Sequence, residues 1–116
     1  MQTYVNVDYR SEMSIVALIN EPGQEIIIAE ARYAKDEENG FGDLAFFVDE
    51  KYQGVGIAPY LYDLLTRLAK DRGLRGFTAE VMQENKGMLT VFEKSGLPME
   101  ALLNNGIYKL RMPFDE

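Results

Sequence analysis

The pattern of apolar and polar positions predicts three strands in the first half of the chain. Met13–Ile19 is apolar on both faces, which is typical of a buried strand, and Glu25–Tyr33 follows it after a Pro-Gly turn. Asp43–Val48 is a further run of strand-forming residues bounded by charged residues. We therefore expect these three strands to form an antiparallel meander. Residues 1–11 show no clear period, and no element is assigned to them.

After the third strand, the apolar positions take the spacing of an α-helix. From Ile57 to Leu68 the apolar side chains recur mostly at three- and four-residue intervals, which places them on one helical face. Pro59 is tolerated because its missing N–H has no intrahelical partner in a first turn. Gly73 is suited to the position just after the last helical turn. The pattern thus predicts a helix that begins at Ile57 and ends before Gly73.

The last third of the chain contains signals for two more strands, a short segment between them and a second helix. Gly76–Met82 reads as a strand, and the helix before it implies a parallel crossover from the third strand. A second helix is expected between Asn85 and Gly96. An Asn-Asn-Gly hairpin signal joins a short segment near Met99–Leu103 to a final strand at Ile107–Met112. The predicted class is α/β or α+β, with one mixed sheet and two main helices.

Composition narrows the chemistry that this chain can perform. Its 116 residues, 47% of them hydrophobic, indicate one globular domain with a modest core. The absence of Cys and His excludes disulfides, thiolate nucleophiles and thiolate metal sites, and it removes the usual general base. Acid–base chemistry therefore depends on carboxylates, Tyr, Lys or the backbone.

The formal net charge of −7 argues against a general nucleic-acid binder. The first explanation of this negative charge is solubility, and the charge also mildly favours a cationic substrate. The sequence has no long apolar run that could span a membrane and no signal peptide, so we expect a cytoplasmic protein.

The segment Gln53–Ala58, between the third strand and the first helix, is the main candidate for ligand binding. Two glycines that enter a helix leave several backbone N–H groups pointing outward at the positive end of the helix dipole, where a phosphate or pyrophosphate can bind. The glycines alone are weak evidence, because glycines before a helix are often only a turn.

A dinucleotide-binding fold is the alternative for this loop, since strand, Gly-x-Gly, helix, strand and Glu80 superficially match it. Four features disfavour it. Residues 49–53 separate the strand from the glycines, the third glycine is missing, three antiparallel strands precede the loop, and the chain is short for a complete Rossmann domain.

The order of strands, loop and helices along the chain is more specific evidence than the glycine loop alone. A meander leads through Gln-x-x-Gly-x-Ala at 53–58 to a helix and a strand, and a helix that opens at Asn85 ends in Phe92-Glu93-Lys94-Ser95-Gly96. From about Asp8 onward, this arrangement resembles the GNAT superfamily of acetyl-CoA-dependent N-acetyltransferases. The resemblance implies a GNAT-like mixed sheet with an antiparallel meander, a β-α-β crossover, a second helix and a C-terminal hairpin.

Within that superfamily, the chain resembles bacterial protein lysine acetyltransferase domains, which are often attached to acyl-CoA synthetase-like or CoA-transferase-like parts. The shared phrases are Asp8-Tyr9-x-x-Glu12-Met13, Gly42–Phe46 and Glu84–Leu89. The comparison implies a single acetyl-CoA-binding domain over residues 1–116 that lacks the usual N-terminal β-α-α segment. Because that segment covers part of the sheet and of the acceptor cleft, we expect a homodimer or a fragment of a larger protein.

The resemblance also assigns roles to individual residues. It assigns the backbone N–H groups of the 53–58 loop to the CoA pyrophosphate, main-chain groups of Phe46–Val48 in the third strand to the pantetheine arm, and Asn85 to the thiol arm. Phe92 stands where the family has a tyrosine near the CoA sulfur. Two simpler roles stay open, since Asn85 could be only a helix cap and Phe92 only core. No metal is implied. The predicted cofactor-binding residues are Phe46, Phe47, Val48, Gln53, Gly54, Val55, Gly56, Ile57, Ala58, Asn85 and Phe92.

Direct attack by an amine on a thioester needs a base more than an acid. A lysine amine, with a pKa of about 10.4, is neutral in only about one molecule in a thousand near pH 7.4. Removing the proton to reach this neutral form costs roughly 4 kcal/mol of free energy. A leaving thiolate with a pKa near about 8.5 needs far less help. The resemblance places an acidic residue at the start of the third strand, so Asp43 is the predicted catalytic base. Its simpler role is a solvated strand-end carboxylate, and Glu80 is a second candidate.

Two function classes follow from these assignments. The first is an N-acetyltransferase that moves an acetyl group from acetyl-CoA to a protein lysine or a small amine. The second is a non-catalytic acyl-CoA-binding regulatory module. The loop and Asp43 favour the first, while Phe92 and the missing N-terminal helices favour the second.

Overall fold

The computed structural model describes residues 1–8 and 11–114, so Tyr9 of the shared phrase lies outside the described residues. The described residues form one seven-stranded sheet and two α-helices. A 3₁₀ turn, Glu50–Tyr52, follows the fourth strand. The strands are β1 (Gln2–Asp8), β2 (Glu12–Glu21), β3 (Gln24–Lys35), β4 (Phe41–Val48), β5 (Gly76–Met82), β6 (Glu100–Asn104) and β7 (Ile107–Pro113), and the helices are α1 (Ile57–Asp71) and α2 (Lys86–Glu93).

The sheet topology confirms the predicted mixed α+β fold. The strand order is β1-β2-β3-β4-β5-β7-β6, and the first four strands form an antiparallel meander. Strands β4 and β5 are parallel, with α1 as the crossover, and β7 pairs antiparallel with both β5 and β6. A dinucleotide-binding fold requires a mainly parallel sheet, so this topology excludes that alternative.

Strand β1 is the element that the sequence pattern missed. Its Val5 is in register with Ile15 of β2, and the pairing continues to Asp8 opposite Glu12. An alternating signal was present, since Thr3, Val5 and Val7 share one face. The signal is weak because β1 is an edge strand whose apolar side chains stay exposed, so the strand does not show the apolar run of a buried one.

Strands β4 and β5 are paired only at their first three residues, Phe41–Asp43 with Gly76–Thr78. The close approach at this end requires glycine. A Cβ on Gly76 would lie 2.5 Å from the carbonyl oxygen of Met112 and 2.7 Å from the Phe41 ring. Beyond Asp43 the two strands separate, which leaves a gap between the second half of β4 and β5.

The core lies between one face of the sheet and α1. The apolar stripe of α1 packs on β2, β3 and β4, as the helical spacing predicted. Four aromatic rings fill the space between α1, α2 and the sheet, with neighbouring ring centroids 5.2 to 6.1 Å apart; they are Phe46, Tyr62, Phe77 and Phe92. Neither helix in the described residues has the length and apolar character needed to cross a membrane.

Candidate functional site

The loop before α1 has the backbone geometry that its glycines suggested. Gly54 and Gly56 have φ angles of 80° and 90°, in the left-handed region that glycine adopts at little cost. Gly56 is the N-cap of α1 and offers no side chain to cap the helix. No other atom lies within 4 Å of the position that a Cβ would take at either glycine, so the loop borders open space.

The amide groups of this loop are available to a ligand. The first main-chain hydrogen bond of α1 joins the Tyr60 N–H to the Gly56 carbonyl, at 3.2 Å. Within residues 1–8 and 11–114, none of the N–H groups of residues 54–58 donates a hydrogen bond. Five unpaired donors at the positive end of a 15-residue helix make a site suited to an anion such as pyrophosphate.

A cavity of about 490 Å³ lies beside the loop, between the end of β4 and the start of both helices. It brings together nine of the eleven residues that the sequence predicted to bind the cofactor. Those nine are Phe46, Phe47, Val48, Gln53, Gly54, Gly56, Ile57, Ala58 and Asn85. Strand, loop and helix thus contribute to one concave surface, as a ligand site requires.

Val55 and Phe92 do not line this cavity. The Val55 side chain is 68% exposed, and only its backbone N–H was expected to bind. Phe92 is 1% exposed, and its ring packs 5.2 Å from Tyr62 and 6.1 Å from Phe46. The structure therefore places Phe92 in the core, the simpler role that the sequence had left open.

Asn85 combines two positions that the sequence treated as alternatives. Its Oδ1 accepts a hydrogen bond from the Met88 N–H at 3.2 Å, which makes it the N-cap of α2. It also lines the cavity. The cap fixes the side chain beside the cavity, so the two positions are compatible.

Five cavity residues were not predicted: Tyr52, Pro59, Gly87, Met88 and Val91. Met88 and Val91 are three residues apart on α2, and their apolar spacing could have identified them as one helical face. Tyr52 lies in the 3₁₀ turn, where no periodic signal exists. It is the one phenol among the residues that line the cavity.

The main chain of β4 borders the gap next to the cavity. The Asp49 N–H donates to the Ile28 carbonyl of β3 at 2.7 Å. Because alternate residues of a strand direct their main-chain groups to the same side, those of Phe47 also face β3, while those of Phe46 and Val48 face the gap. The Val48 carbonyl accepts the Gln53 Nε2 hydrogen bond at 3.1 Å. The main chain of Phe46 is left open to an extended ligand.

Asp43 lies outside this cavity, in a second one of about 400 Å³ that also contains Glu80. The two cavities share no lining residue. Asp43 and Phe46 are three positions apart on β4, so their Cα atoms lie about 10 Å apart while their side chains point to opposite faces of the sheet. The Asp43 Oδ1 accepts a hydrogen bond of 3.0 Å from the Thr78 hydroxyl. Asp43 is also the last β4 residue paired with β5, so it stands where the gap begins.

Tyr62 is the phenol packed against Phe92, but it does not line the loop cavity. Its hydroxyl lies 3.7 Å from the Met112 sulfur, in the core. Burial raises the pKa of Tyr62 to about 12, so this group stays neutral at ordinary pH.

In the part of the chain that the structure describes, no group of three or more acidic side chains could hold a metal ion.

Comparison with known proteins agrees with this geometry. Residues 2–97 match the acetyltransferase (GNAT) family. The chain is 31% identical over 91 residues to the acetyltransferase Pat of Mycolicibacterium smegmatis. The matched segment covers 78% of this chain and 27% of that protein. It spans between 27% and 45% of the length of the curated relatives it matches.

Solved structures show the same fold. The GNAT domain of S. lividans PAT superimposes with a TM-score of 0.75 at 27% identity, over 93% of this chain and 64% of that domain. A Bacillus anthracis protein solved in complex with acetyl coenzyme A has a TM-score of 0.73 at 19% identity, over 95% of this chain and 65% of its own. The family match covers most of the sequence, and the chain therefore belongs to the GNAT family of acetyltransferases.

Proposed function

We propose that this chain transfers an acetyl group from acetyl-CoA to an amine by direct attack of the amine on the thioester. The observation that carries the proposal is the set of unpaired N–H groups at residues 54–58, beside a cavity that opens onto the free edge of β4. Such donors suit the pyrophosphate of CoA, and the free main chain of Phe46 suits the amides of its pantetheine arm. Membership of the GNAT family supports the same assignment.

In the proposed reaction, the acceptor nitrogen bonds to the thioester carbonyl carbon and the carbon–sulfur bond breaks. The acceptor approaches from the cavity that contains Asp43. Asp43 takes one proton from the protonated amine before the attack and passes it to water. After the carbon–nitrogen bond has formed, the nitrogen loses a second proton to water, and the CoA thiolate takes a proton from solvent. The chain has no Cys, so no acyl-cysteine intermediate can form.

A protein lysine is the acceptor that the sequence resemblance favours, and a small amine is the alternative. Both present an amine that is mostly protonated at neutral pH, so both need the base. The cavity that contains Asp43, here called the acceptor-side cavity, is lined by three carboxylates and two cations, which are Asp43, Glu80, Glu100, Lys109 and Arg111. Its small excess of negative charge favours a cationic acceptor.

A non-catalytic acyl-CoA-binding module is the second candidate. Two observations favour it. Phe92, where the family has a tyrosine, is buried in the core, and no helix precedes β4 in the described residues to help form an acceptor cleft. Such a module would use the same loop and cavity without turnover.

Acetyl-CoA binding and acetyl transfer should be measured separately on the same preparation. We expect saturable acetyl-CoA binding by calorimetry, together with release of free thiol when a panel of lysine peptides and small amines is added. The control omits the amine, so that slow hydrolysis of the thioester is subtracted. Binding without thiol release for any acceptor would support the regulatory module, and absence of binding would exclude both candidates.

We also propose that this chain self-associates through β1. This strand forms one edge of the sheet, and Tyr4, Val5 and Val7 are 46% to 48% exposed on it. Antiparallel pairing of two copies centred on Val5 would place Thr3 opposite Val7 and Tyr4 opposite Asn6, so no like charges would meet at the centre of the contact. A two-fold contact of this kind is the commonest closed arrangement.

Light scattering at micromolar concentration is expected to give about twice the 13.2 kDa mass of one chain. Val5→Lys should return the mass to one chain, because it puts like charges at the centre of the contact. Leu102→Lys, at an exposed position on the opposite edge strand β6, is the matched control and should leave the mass unchanged. A wild-type monomer would refute the contact, and a dimer lost only in Leu102→Lys would move it to β6.

A further inference from the structure

The Asp43 carboxylate has one hydrogen-bond donor among the described residues, the hydroxyl of Thr78. The Thr78 Oγ1 lies 3.0 Å from Asp43 Oδ1. The two residues are 35 positions apart in the chain and form the last registered pair of β4 and β5. Residues paired in register lie on the same face of a sheet, here the face opposite the helices, and both line the acceptor-side cavity.

The two cations that line the same cavity as Asp43 are Lys109 and Arg111, and neither forms an ion pair with it in the structure. Arg111 donates to Glu100 at 3.4 Å, and its guanidinium carbon lies 4.5 Å from the centroid of the Phe41 ring. Lys109 is in register with Glu80, and no ion pair in residues 1–8 and 11–114 includes Asp43. The carboxylate is therefore held by a neutral donor.

This arrangement suits a base. A cation bound to a carboxylate stabilises the charged form strongly and makes the carboxylate a poorer proton acceptor, whereas a hydroxyl orients it at a smaller cost in basicity. The Thr78 hydroxyl donates a hydrogen bond to Asp43 Oδ1, and Asp43 Oδ2 has no donor in the described part of the chain. One oxygen is fixed and the other is left to accept a proton.

We propose that Thr78 is a positioning residue that holds Asp43 for removal of the acceptor proton at Oδ2. The inference rests on the proposed function. The proton leaves the acceptor nitrogen for Oδ2 and passes from there to water, while the Thr78 hydroxyl keeps its own proton throughout. Thr78 is half-buried on β5, at the last position where β5 is paired with β4. Its position is therefore set by the sheet and not by a loop.

A purely structural role would be to fasten β4 to β5, and the experiment must separate the two. We would measure initial rates at saturating acetyl-CoA with the best acceptor of the amine panel. The variants are Thr78→Val, which keeps the shape and removes the donor, and Thr78→Ser, which keeps the donor. Thr90→Val removes a hydroxyl that donates at 2.9 Å to the Lys86 carbonyl on α2 and serves as the matched control.

We expect Thr78→Val to lower kcat about tenfold, the size of one hydrogen bond to a charged group, with the KM for acetyl-CoA unchanged. Thr78→Ser should keep most of the rate, and Thr90→Val should keep all of it. In an Asp43→Asn background, Thr78→Val should cause no further loss, because the base through which it acts is already gone.

Equal losses from Thr78→Val in the wild-type and Asp43→Asn backgrounds would overturn the positioning role, as would a Thr78→Ser variant that is as slow as Thr78→Val. Both results would leave the proposed acetyl transfer intact. A wild-type rate in Asp43→Asn would show that Asp43 is not the base, and Thr78 would then have no base to position. A chain that binds acetyl-CoA but transfers nothing to any acceptor would overturn the proposed function itself, and with it this inference.

Discussion

Replacing Gly56 by glutamate is expected to weaken acetyl-CoA binding by at least about a hundredfold, or about 2.7 kcal/mol. Gly56 is the N-cap of α1, and its neighbouring amides are the donors proposed for the pyrophosphate. A glutamate there would bring a negative charge towards the phosphates, and two like charges about 4 Å apart near a protein surface repel by about 4 kcal/mol. Calorimetric titration with acetyl-CoA measures the change.

The matched control for this variant is Gly23→Glu, in the turn between β2 and β3. Gly23 has a φ of 87°, against 90° for Gly56, and at neither position does another atom lie within 4 Å of the place that a Cβ would take. Both variants thus add the same charge and the same left-handed strain. Gly23→Glu should bind acetyl-CoA as the wild type does. Unchanged affinity in Gly56→Glu would remove the 53–58 loop as the pyrophosphate site.

Replacing Asp43 by asparagine is expected to lower the acetyl-transfer rate about a hundredfold near pH 7.4, the low end of what a general base contributes. Asparagine keeps the shape and can still accept the Thr78 hydrogen bond through its carbonyl oxygen, but it cannot take up a proton. Acetyl-CoA affinity should stay within about twofold, because Asp43 and the loop line separate cavities.

The pH dependence makes this prediction more specific. As the pH approaches the amine pKa of about 10.4, the acceptor loses its proton to solvent, so the rates of the wild type and Asp43→Asn should converge. Asp63→Asn, which removes an exposed carboxylate paired with Arg67 on α1, is the control and should match the wild type at every pH. If Glu80→Gln lowers the rate and Asp43→Asn does not, Glu80 is the base.

Local sequence patterns determined most of the secondary structure. The strand Gly76–Met82 has the predicted limits, and α1 begins at Ile57 as predicted and ends at Asp71, two residues before Gly73. These elements are visible in the sequence because a buried stripe on a helix or strand repeats at a fixed interval. Strand β1 was missed because an edge strand with exposed apolar residues lacks that contrast.

The chemistry of the loop was likewise a local property. Gly54 and Gly56 adopt positive φ angles, and the turn into α1 leaves its own amides unpaired, so the backbone geometry for which the anion site was predicted is present in six consecutive residues. The residues that approach this loop from the strand and from α2 were identified by the resemblance, since no spacing in the sequence links them to it.

The tertiary structure decided what depends on register between distant segments. It placed Asp43 beside Thr78 and in a different cavity from the loop, and it buried Phe92 among the core aromatic rings. It also ended the pairing of β4 and β5 at Asp43, which opens the gap between them. A sequence states which residues prefer a strand or a helix, but the pairing of two strands is chosen by the packing of the whole sheet, so the neighbours of a side chain across that sheet appear only in the fold.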